Sequence, residues 1–229
     1  MIIIVGGAPC SGKSTLTRNI LSELCSTEYV KPMKLFPCEK RGDILVVGQY
    51  PENETFGGTD RISYEAIPKF RDFIDQEVSK YKNIILEGDR FFRAKDIEWL
   101  IENHDAKVFI LTVSGEEENR RHVERQDTQT EKWMKGRRTQ IRNIMTNPTI
   151  MGELEIRSNE TEIDCQNIKN EIMEIMRGSR DKKRLDQVIL DFTTDFDIEW
   201  VFHNDNRTLY ASKPHIIPLG VPSISAQCP

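Results

Sequence analysis

The 229-residue chain lacks paired cysteines, clustered histidines and long apolar runs. Its five cysteines form no C-x-x-C pair and its four histidines are dispersed, so neither a disulfide framework nor a zinc site is predicted. No segment approaches the roughly 18 apolar residues of a membrane span, and residues 1–5 lack the basic start of a signal peptide. We therefore expect a protein of a reducing cytoplasm, the host cytoplasm if the protein is viral, with no membrane partner.

The composition also disfavours disorder and nucleic-acid coating. The chain is 38% hydrophobic and 30% charged, and its 32 Lys and Arg against 37 Asp and Glu give a net charge of −5. A disordered chain has fewer apolar residues, and a protein that covers nucleic acid is basic overall. The composition instead fits a folded domain of about 150 residues with an additional segment.

Apolar runs alternate with amphipathic stretches along most of the chain. Runs typical of buried strands occupy residues 1–5, 44–47, 83–87, 107–113 and 154–156. The sequence predicts helices over residues 14–25, 64–81, 94–103, 115–125, 131–146 and 162–176. This alternation predicts an α/β fold with a mostly parallel sheet flanked by helices.

The composition changes near the end of the last predicted helix. Residues 179–184 are polar and charged, which predicts a linker. Three short strands are predicted beyond it, at residues 188–190, 198–202 and 208–210. Residues 203–206 would form the turn of a hairpin between the last two. We therefore expect a core domain, residues 1–178, and a small β-rich C-terminal extension, residues 185–229.

Residues 7–14 match the pattern G-x-x-x-x-G-K-[ST] in full. The motif lies between an apolar strand and an amphipathic helix, so its backbone N–H groups and the helix start can face a polyphosphate. Lys13 would reach the β- and γ-phosphates of ATP, and the Ser14 hydroxyl would bind Mg²⁺. The alternative is an ordinary strand–turn–helix with a surface lysine. The predicted nucleotide-binding residues are Gly7, Ala8, Pro9, Cys10, Ser11, Gly12, Lys13, Ser14 and Thr15.

On this motif the chain resembles the P-loop NTPases. It contains neither the N-K-x-D motif of Ras-type GTPases nor the L-S-G-G-Q signature of transporter ATPases. An early motif, one small α/β domain and a late basic segment are similar to the nucleoside and nucleotide kinases over about residues 1–178. The resemblance implies a P-loop NTPase fold, ATP and Mg²⁺ as cofactors, and phosphoryl transfer to a nucleotide or nucleoside-like small-molecule acceptor. It leaves the oligomeric state open.

A second acidic motif, Glu-Gly-Asp-Arg, ends the third predicted strand. Ligands bind at the carboxyl ends of the strands in open α/β sheets. Glu87 is therefore the first candidate for the Mg²⁺ ligand or the catalytic base, and Asp89 is the second. Alternatively, Glu87 caps a turn. Arg90 would contact a substrate phosphate or form an ion pair with Asp60 or Asp89.

Residues 120–142 carry eight Lys and Arg against three acids, an excess of +5 in a protein of −5. In the kinases that the chain resembles, a mobile lid, here about residues 120–146, closes arginines over the phosphates and excludes water. Arg121 and Arg125 lie on one helix face and are the candidate lid arginines, and Arg121 is also a candidate for nucleotide binding. The alternative is a solvated charged helix.

Residues 47–63 predict a long loop between a strand and a helix, and long loops are often functional. Its paired glycines permit close backbone approach, Thr59 and Asp60 offer a donor and a carboxylate, and Tyr50 and Phe56 offer stacking faces for a base. Asp60 is alternatively the general base. The simpler alternative is that Thr59 or Asp60 caps the next helix and Phe56 fills the core. The predicted acceptor-binding residues are Tyr50, Gly57, Gly58, Thr59, Asp60 and Arg90.

Two other functions stay open. The P-loop, the strand-end Glu-Gly-Asp-Arg and the Gly-Gly-Thr-Asp loop together resemble bacteriophage P-loop kinases that act on hydroxymethylated pyrimidines, such as 5-hydroxymethyluracil, in DNA. DNA is therefore a candidate polymeric substrate, and its binding would be salt-sensitive. The other alternative is a non-catalytic, nucleotide-dependent regulatory module, which predicts tight ATP binding without phosphoryl transfer.

Overall fold

The computed structural model describes residues 1–51, 57–125 and 129–178, and the backbone of three strands farther along the chain. The chain divides into two compact units, Met1–Lys182 and Lys183–Pro229. Within the described residues, no helix is long and apolar enough to cross a membrane.

The first unit is built on a seven-stranded sheet with the order β2-β3-β4-β5-β1-β6-β7. Its strands are β1 (Ile2–Gly7), β2 (Glu28–Met33), β3 (Phe36–Arg41), β4 (Ile44–Val47), β5 (Asn83–Glu87), β6 (Ala106–Thr112) and β7 (Leu154–Ser158). The strands from β4 to β7 in this order run parallel, whereas β2 and β3 are antiparallel at one edge. The predicted α/β fold with a mostly parallel sheet is confirmed.

Helices flank this sheet. They are α1 (Lys13–Leu21), α2 (Phe70–Glu77), α3 (Ala94–Asn103), α4 (Gly115–Arg125), α5 (Glu131–Met145), α6 (Pro148–Met151) and α7 (Glu162–Arg177). Two 3₁₀ helices, Thr59–Arg61 and Tyr64–Lys69, precede α2. Thr161 and Asp164 form a reciprocal capping box at the start of α7, which satisfies N–H groups that the helix cannot bond itself.

The core fixes where the loop after β1 lies. Side chains alternate between the two faces of a strand, and Ile3 and Val5 of β1 share one buried cluster with Leu16 and Ile20 of α1 and with Ile172 of α7. Because α1 is held against the sheet by this cluster, the short segment between β1 and α1 must turn at the carboxyl edge of the sheet.

Four elements differ from the sequence prediction. β2 and β3 were not predicted, because β2 is a largely exposed edge strand and β3 carries several polar residues, so neither shows a buried apolar run. The single helix predicted over residues 64–81 is a 3₁₀ helix followed by α2, since Pro68 lacks the N–H that a continuous α-helix needs. The short α6 was also missed. It begins at the Asn147 cap, with Pro148 in its first turn.

The second unit contains a three-stranded antiparallel sheet with the order β10-β9-β8. Its strands are β8 (Ile189–Asp191), β9 (Glu199–His203) and β10 (Thr208–Ser212). β9 pairs with β10 as the predicted hairpin requires, with His203 opposite Thr208. The predicted linker, residues 179–184, and residues 204–206 of the predicted hairpin turn lie outside the described residues.

Candidate active site

The candidate site lies at the carboxyl edge of the parallel strands. The glycine-rich loop follows β1, Glu87 ends β5, and Asn159 follows β7. β1 lies between β5 and β6, so the chain crosses from one side of β1 to the other after β5. Such a reversal of strand order opens a crevice in which α/β proteins bind their ligands.

The loop between β1 and α1 has the backbone of an anion cradle. Gly12, at the N-cap of α1, has a φ of 85°, and Cys10 has a φ of 60°. Gly12 adopts its angle without strain because it is a glycine, and it has no side chain with which to cap the helix. The first turn of α1 contains no acidic residue, so nothing in that turn offsets the positive helix end.

Lys13 lies folded over this loop. Its Nζ donates hydrogen bonds to the carbonyl oxygens of Gly7 at 3.0 Å and Ala8 at 2.8 Å. The ammonium group is thereby held on the inner side of the loop that carries it. This is the position from which a lysine can contact a bound polyphosphate.

Asn159, which follows β7, also holds the glycine-rich loop. Its Nδ2 donates to the Ser11 carbonyl oxygen at 2.7 Å, and a Cβ atom on Gly12 would lie only 2.4 Å from that nitrogen. The Ser11 hydroxyl and Asn159 Oδ1 are buried and have no hydrogen-bond partner among the described residues. Sequence reasoning missed Asn159, and its position directly after a parallel strand was the only available signal.

Glu87 is buried at the end of β5, with 1% of its surface exposed. Ser14 Oγ donates to its Oε1 at 3.2 Å, and the Tyr50 hydroxyl donates to its Oε2 at 2.5 Å. Burial raises the pKa of Glu87 to about 7, although the Tyr50 hydrogen bond and the charge of Lys13 act in the opposite direction. The same burial, with the charge of Glu87, raises the pKa of Tyr50 well above its ordinary value. The Ser14 hydrogen bond joins Glu87 to the glycine-rich motif.

This burial makes stability depend on pH. The pKa of Glu87 rises from 4.5 to about 7 on folding, so between these values the folded protein binds more protons than the unfolded chain. The free energy of unfolding should therefore fall by about 3 kcal/mol as pH rises through this window, as far as Glu87 contributes. In urea unfolding, the stability of Glu87→Gln relative to the wild type should increase steadily from pH 4.5 to pH 7.

The exposed Glu102→Gln variant is the control, and its stability difference from the wild type should stay constant with pH. If the difference in the free energy of unfolding between Glu87→Gln and the wild type did not change with pH, burial would not raise the pKa of Glu87.

Asp60, Asp89 and Arg90 form a second cluster next to Glu87. The Asp89 N–H donates to Asp60 Oδ1 at 2.7 Å, and Arg90 Nη2 donates to the Asp60 carbonyl oxygen at 3.2 Å. Arg90 therefore contacts the backbone of Asp60, and its guanidinium also lies 3.4 Å from the ring centre of Tyr64. Asp60 is exposed on one side, but desolvation of its carboxylate and the charge of Asp89 both raise its pKa.

The loop after β4 closes tightly on Glu87. Gly58 pairs with Gln49, its N–H donating to the Gln49 carbonyl oxygen at 3.0 Å, and a Cβ atom on Gly58 would lie 2.5 Å from the Glu87 carbonyl oxygen. A Cβ atom on Gly57 would lie 2.5 Å from the Tyr50 ring. These glycines permit the close approach of the loop to Glu87 and to the Tyr50 ring.

Two expectations about this loop need correction. Tyr50 is 6% exposed and its hydroxyl is bonded to Glu87, so its ring is not an open stacking face. Neither Thr59 nor Asp60 caps the next helix, because Ser63 accepts the capping hydrogen bond there. Thr59 is buried, and its hydroxyl has no partner within the described part of the chain. Phe56 lies outside the described residues.

The basic segment divides into arginines with different contacts. Arg121 donates to the Cys10 carbonyl oxygen at 3.1 Å, to the Asn159 and Glu160 carbonyl oxygens at 2.8 and 2.9 Å, and to Glu117 Oε1 at 2.6 Å. It therefore clamps α4 to the glycine-rich loop through carbonyl groups.

The guanidinium of Arg121 also helps to lower the pKa of Glu117 to about 2, after the larger effect of Arg120. The predicted partner of Arg121 in the lid, Arg125, is exposed at the end of α4.

α5 contributes an arginine that sequence reasoning did not single out. Arg137 Nε lies 3.6 Å from Asp89 Oδ2, and Gln140 Nε2 donates a hydrogen bond to the Phe92 carbonyl oxygen. These contacts seat α5 beside the segment that follows β5. Arg138 forms an ion pair with Glu118 at 3.2 Å, so this part of the segment is not simply a solvated face.

The metal-binding capacity of the site rests on few protein ligands. No group of three or more His, Cys, Asp or Glu that could hold a metal ion occurs within the described residues. Mg²⁺ is usually held by one or two carboxylates together with substrate phosphates and water. The adjoining Ser14 hydroxyl and Glu87 carboxylate fit that kind of site, and they do not fit a cage made of protein ligands alone.

No protein-family model matches this chain, and no curated protein matches it. The residues assembled at the carboxyl edge of the sheet are therefore what indicates a function.

Proposed function

We propose that the protein is an ATP- and Mg²⁺-dependent kinase with a P-loop NTPase fold, acting on a nucleoside, nucleotide or related acceptor. The observation that carries this proposal is the 3.2 Å hydrogen bond from Ser14 Oγ to Glu87 Oε1. It joins the hydroxyl of the G-x-x-x-x-G-K-[ST] motif to the strand-end carboxylate. A hydroxyl and a carboxylate side by side at the start of α1 are suited to a Mg²⁺·nucleotide complex.

The glycine-rich loop accounts for the nucleotide side of the reaction. Its backbone N–H groups and the start of α1 bind phosphate oxygens, and Lys13 exchanges the carbonyls of Gly7 and Ala8 for the β- and γ-phosphates. Ser14 and Glu87 hold Mg²⁺, which neutralises phosphate charge when bound. Arg121 keeps the loop in place through the Cys10 carbonyl oxygen.

Asp60 and Asp89 account for the acceptor side. They lie together beyond Glu87, linked through the Asp89 N–H, and either carboxylate can accept a proton from an attacking hydroxyl group. Arg137 brings positive charge from α5 to within 3.6 Å of Asp89, where it can stabilise the transferring phosphoryl group. These contacts, together with those of Arg121, support a lid role for residues 120–146.

One observation favours DNA as the acceptor. Tyr64 is 69% exposed, and over its ring lies the guanidinium of Arg90, which also donates to the Asp60 carbonyl oxygen. An exposed ring held by an arginine offers a platform on which a base displaced from a strand can stack. This feature keeps a DNA kinase acting on 5-hydroxymethyluracil or a similar base as the second candidate.

Transfer of labelled phosphate separates these functions. The protein is incubated with Mg²⁺ and γ-labelled ATP together with nucleosides, nucleotides, or DNA that contains 5-hydroxymethyluracil. Label on a free nucleoside or nucleotide supports the first candidate, and label on the polymer alone supports the second. Tight ATP binding with no labelled product from any acceptor would contradict both and favour a regulatory module.

A further inference from the structure

A chain of buried hydrogen bonds leads from the antiparallel edge of the sheet to Glu87. It begins at Glu39 of β3, which is fully buried and pairs through Oε2 with Arg41 Nη2 at 2.9 Å. Arg41 also donates to the Leu21 carbonyl oxygen at the end of α1, at 3.0 Å. The other oxygen of Glu39, Oε1, accepts a hydrogen bond from the Tyr50 backbone N–H at 2.5 Å. The ion pair thus fixes the backbone of Tyr50 relative to β3 and α1.

The side chain of Tyr50 carries this chain on to Glu87. Its hydroxyl donates to Glu87 Oε2 at 2.5 Å, while Ser14 donates to Oε1. The two carboxylate oxygens are therefore assigned to different partners. A Cβ atom on Gly58 would lie 2.6 Å from the Tyr50 hydroxyl oxygen, so the glycine makes room for this contact.

This arrangement is not what packing alone requires. A buried aromatic ring packs equally well without a hydroxyl group, whereas a hydroxyl next to a buried carboxylate holds that carboxylate in one orientation. A glutamate side chain turns easily about its last bond, because that torsion is broad. Without the Tyr50 hydroxyl, Oε2 would lose this hydrogen-bond donor, and Oε1 would no longer be directed at Ser14.

We propose that Tyr50 is a positioning residue whose hydroxyl orients Glu87 so that Oε1 and the Ser14 hydroxyl together face Mg²⁺, with the Glu39–Arg41 pair holding Tyr50 in place. This inference rests on the proposed function, since it takes Glu87 as the Mg²⁺ ligand. Hydrogen-bond partners of metal-binding groups typically contribute 10- to 100-fold to metal affinity.

Tyr50→Phe tests the proposal through nucleotide binding, independently of any acceptor. The affinity for ADP is measured with EDTA and with saturating Mg²⁺, and the ratio of the two gives the gain due to the metal. We expect Tyr50→Phe to reduce this gain about 10- to 100-fold and to leave the affinity in EDTA unchanged within about twofold. Tyr29→Phe, at an exposed position of β2, should match the wild type in both conditions.

Glu39→Gln gives a second measurement in case the first variant is poorly folded. Its amide keeps the shape of the side chain but loses the ion pair with Arg41, so we expect a smaller reduction of the same gain. An undiminished gain in Tyr50→Phe would overturn the positioning role. So would equal losses with and without Mg²⁺, which would mean that Tyr50 only supports the fold. No metal-dependent gain in the wild type would overturn the Mg²⁺ role of Glu87 as well.

Discussion

Replacing Lys13 with alanine is expected to lower kcat/KM for phosphoryl transfer at least about 1,000-fold, or about 4 kcal/mol in the transition state. The reason is positional. Lys13 Nζ is held over the glycine-rich loop by the Gly7 and Ala8 carbonyl oxygens, where charge builds up on the β- and γ-phosphates during transfer. No other lysine lies in the loop or in α1. The measurement is steady-state ADP formation at saturating acceptor.

The control for Lys13→Ala is Lys34→Ala, which removes an exposed lysine between β2 and β3 and should leave turnover unchanged. Thermal unfolding of both variants shows whether the loop survives the loss of two hydrogen bonds. A well-folded Lys13→Ala protein with more than one tenth of wild-type turnover would contradict the assignment of the loop as the phosphate site.

Glu87→Gln should lower kcat about 100- to 10,000-fold while leaving the protein folded. The amide has nearly the same shape but lacks the charge that Mg²⁺ or a transferred proton requires. Because the carboxylate is buried beside Ser14 and Tyr50, no water-exposed acid can take its place without moving β5. The measurement is single-turnover phosphoryl transfer, which separates the chemical step from nucleotide binding.

Asp89→Asn is the matched comparison for Glu87→Gln, because Asp89 is the other acid of the same motif. If Glu87 holds the metal, Asp89→Asn should retain the Mg²⁺-dependent gain in nucleotide affinity that Glu87→Gln loses. The opposite pattern, with the gain lost in Asp89→Asn and kept in Glu87→Gln, would exchange the two roles.

The parts of the site that lie close together in sequence were predictable. β1, the loop and α1 follow one another, so the apolar run, the glycine spacing and the helical periodicity describe one continuous local structure. The end of β5 was predictable for a related reason. A carboxylate directly after a buried run must reach the carboxyl edge of a parallel sheet, and this places Glu87 near the loop whatever the intervening chain does.

The remaining contacts depend on packing between distant segments, which no local pattern encodes. The role of Tyr50 changes from a stacking face to a partner of Glu87 because β3 and the loop after β4 fold over it, and β3 itself was hidden by its polar residues. Asn159 reaches the Ser11 carbonyl oxygen from 148 residues away. Arg137 is one of eight basic residues in its segment, and only the packing of α5 brings it close to Asp89.

A double-mutant cycle tests most directly whether the glycine-rich loop and the end of β5 form one Mg²⁺·nucleotide site. The Mg²⁺-dependent gain in ATP affinity is measured for the wild type, Ser14→Ala, Glu87→Gln and the double variant. We expect each single change to reduce the gain about 10- to 100-fold, at least as much as Tyr50→Phe does, and the double change to reduce it little further, because both groups hold the same ion. Fully additive losses, or an undiminished gain in either single variant, would contradict the claim.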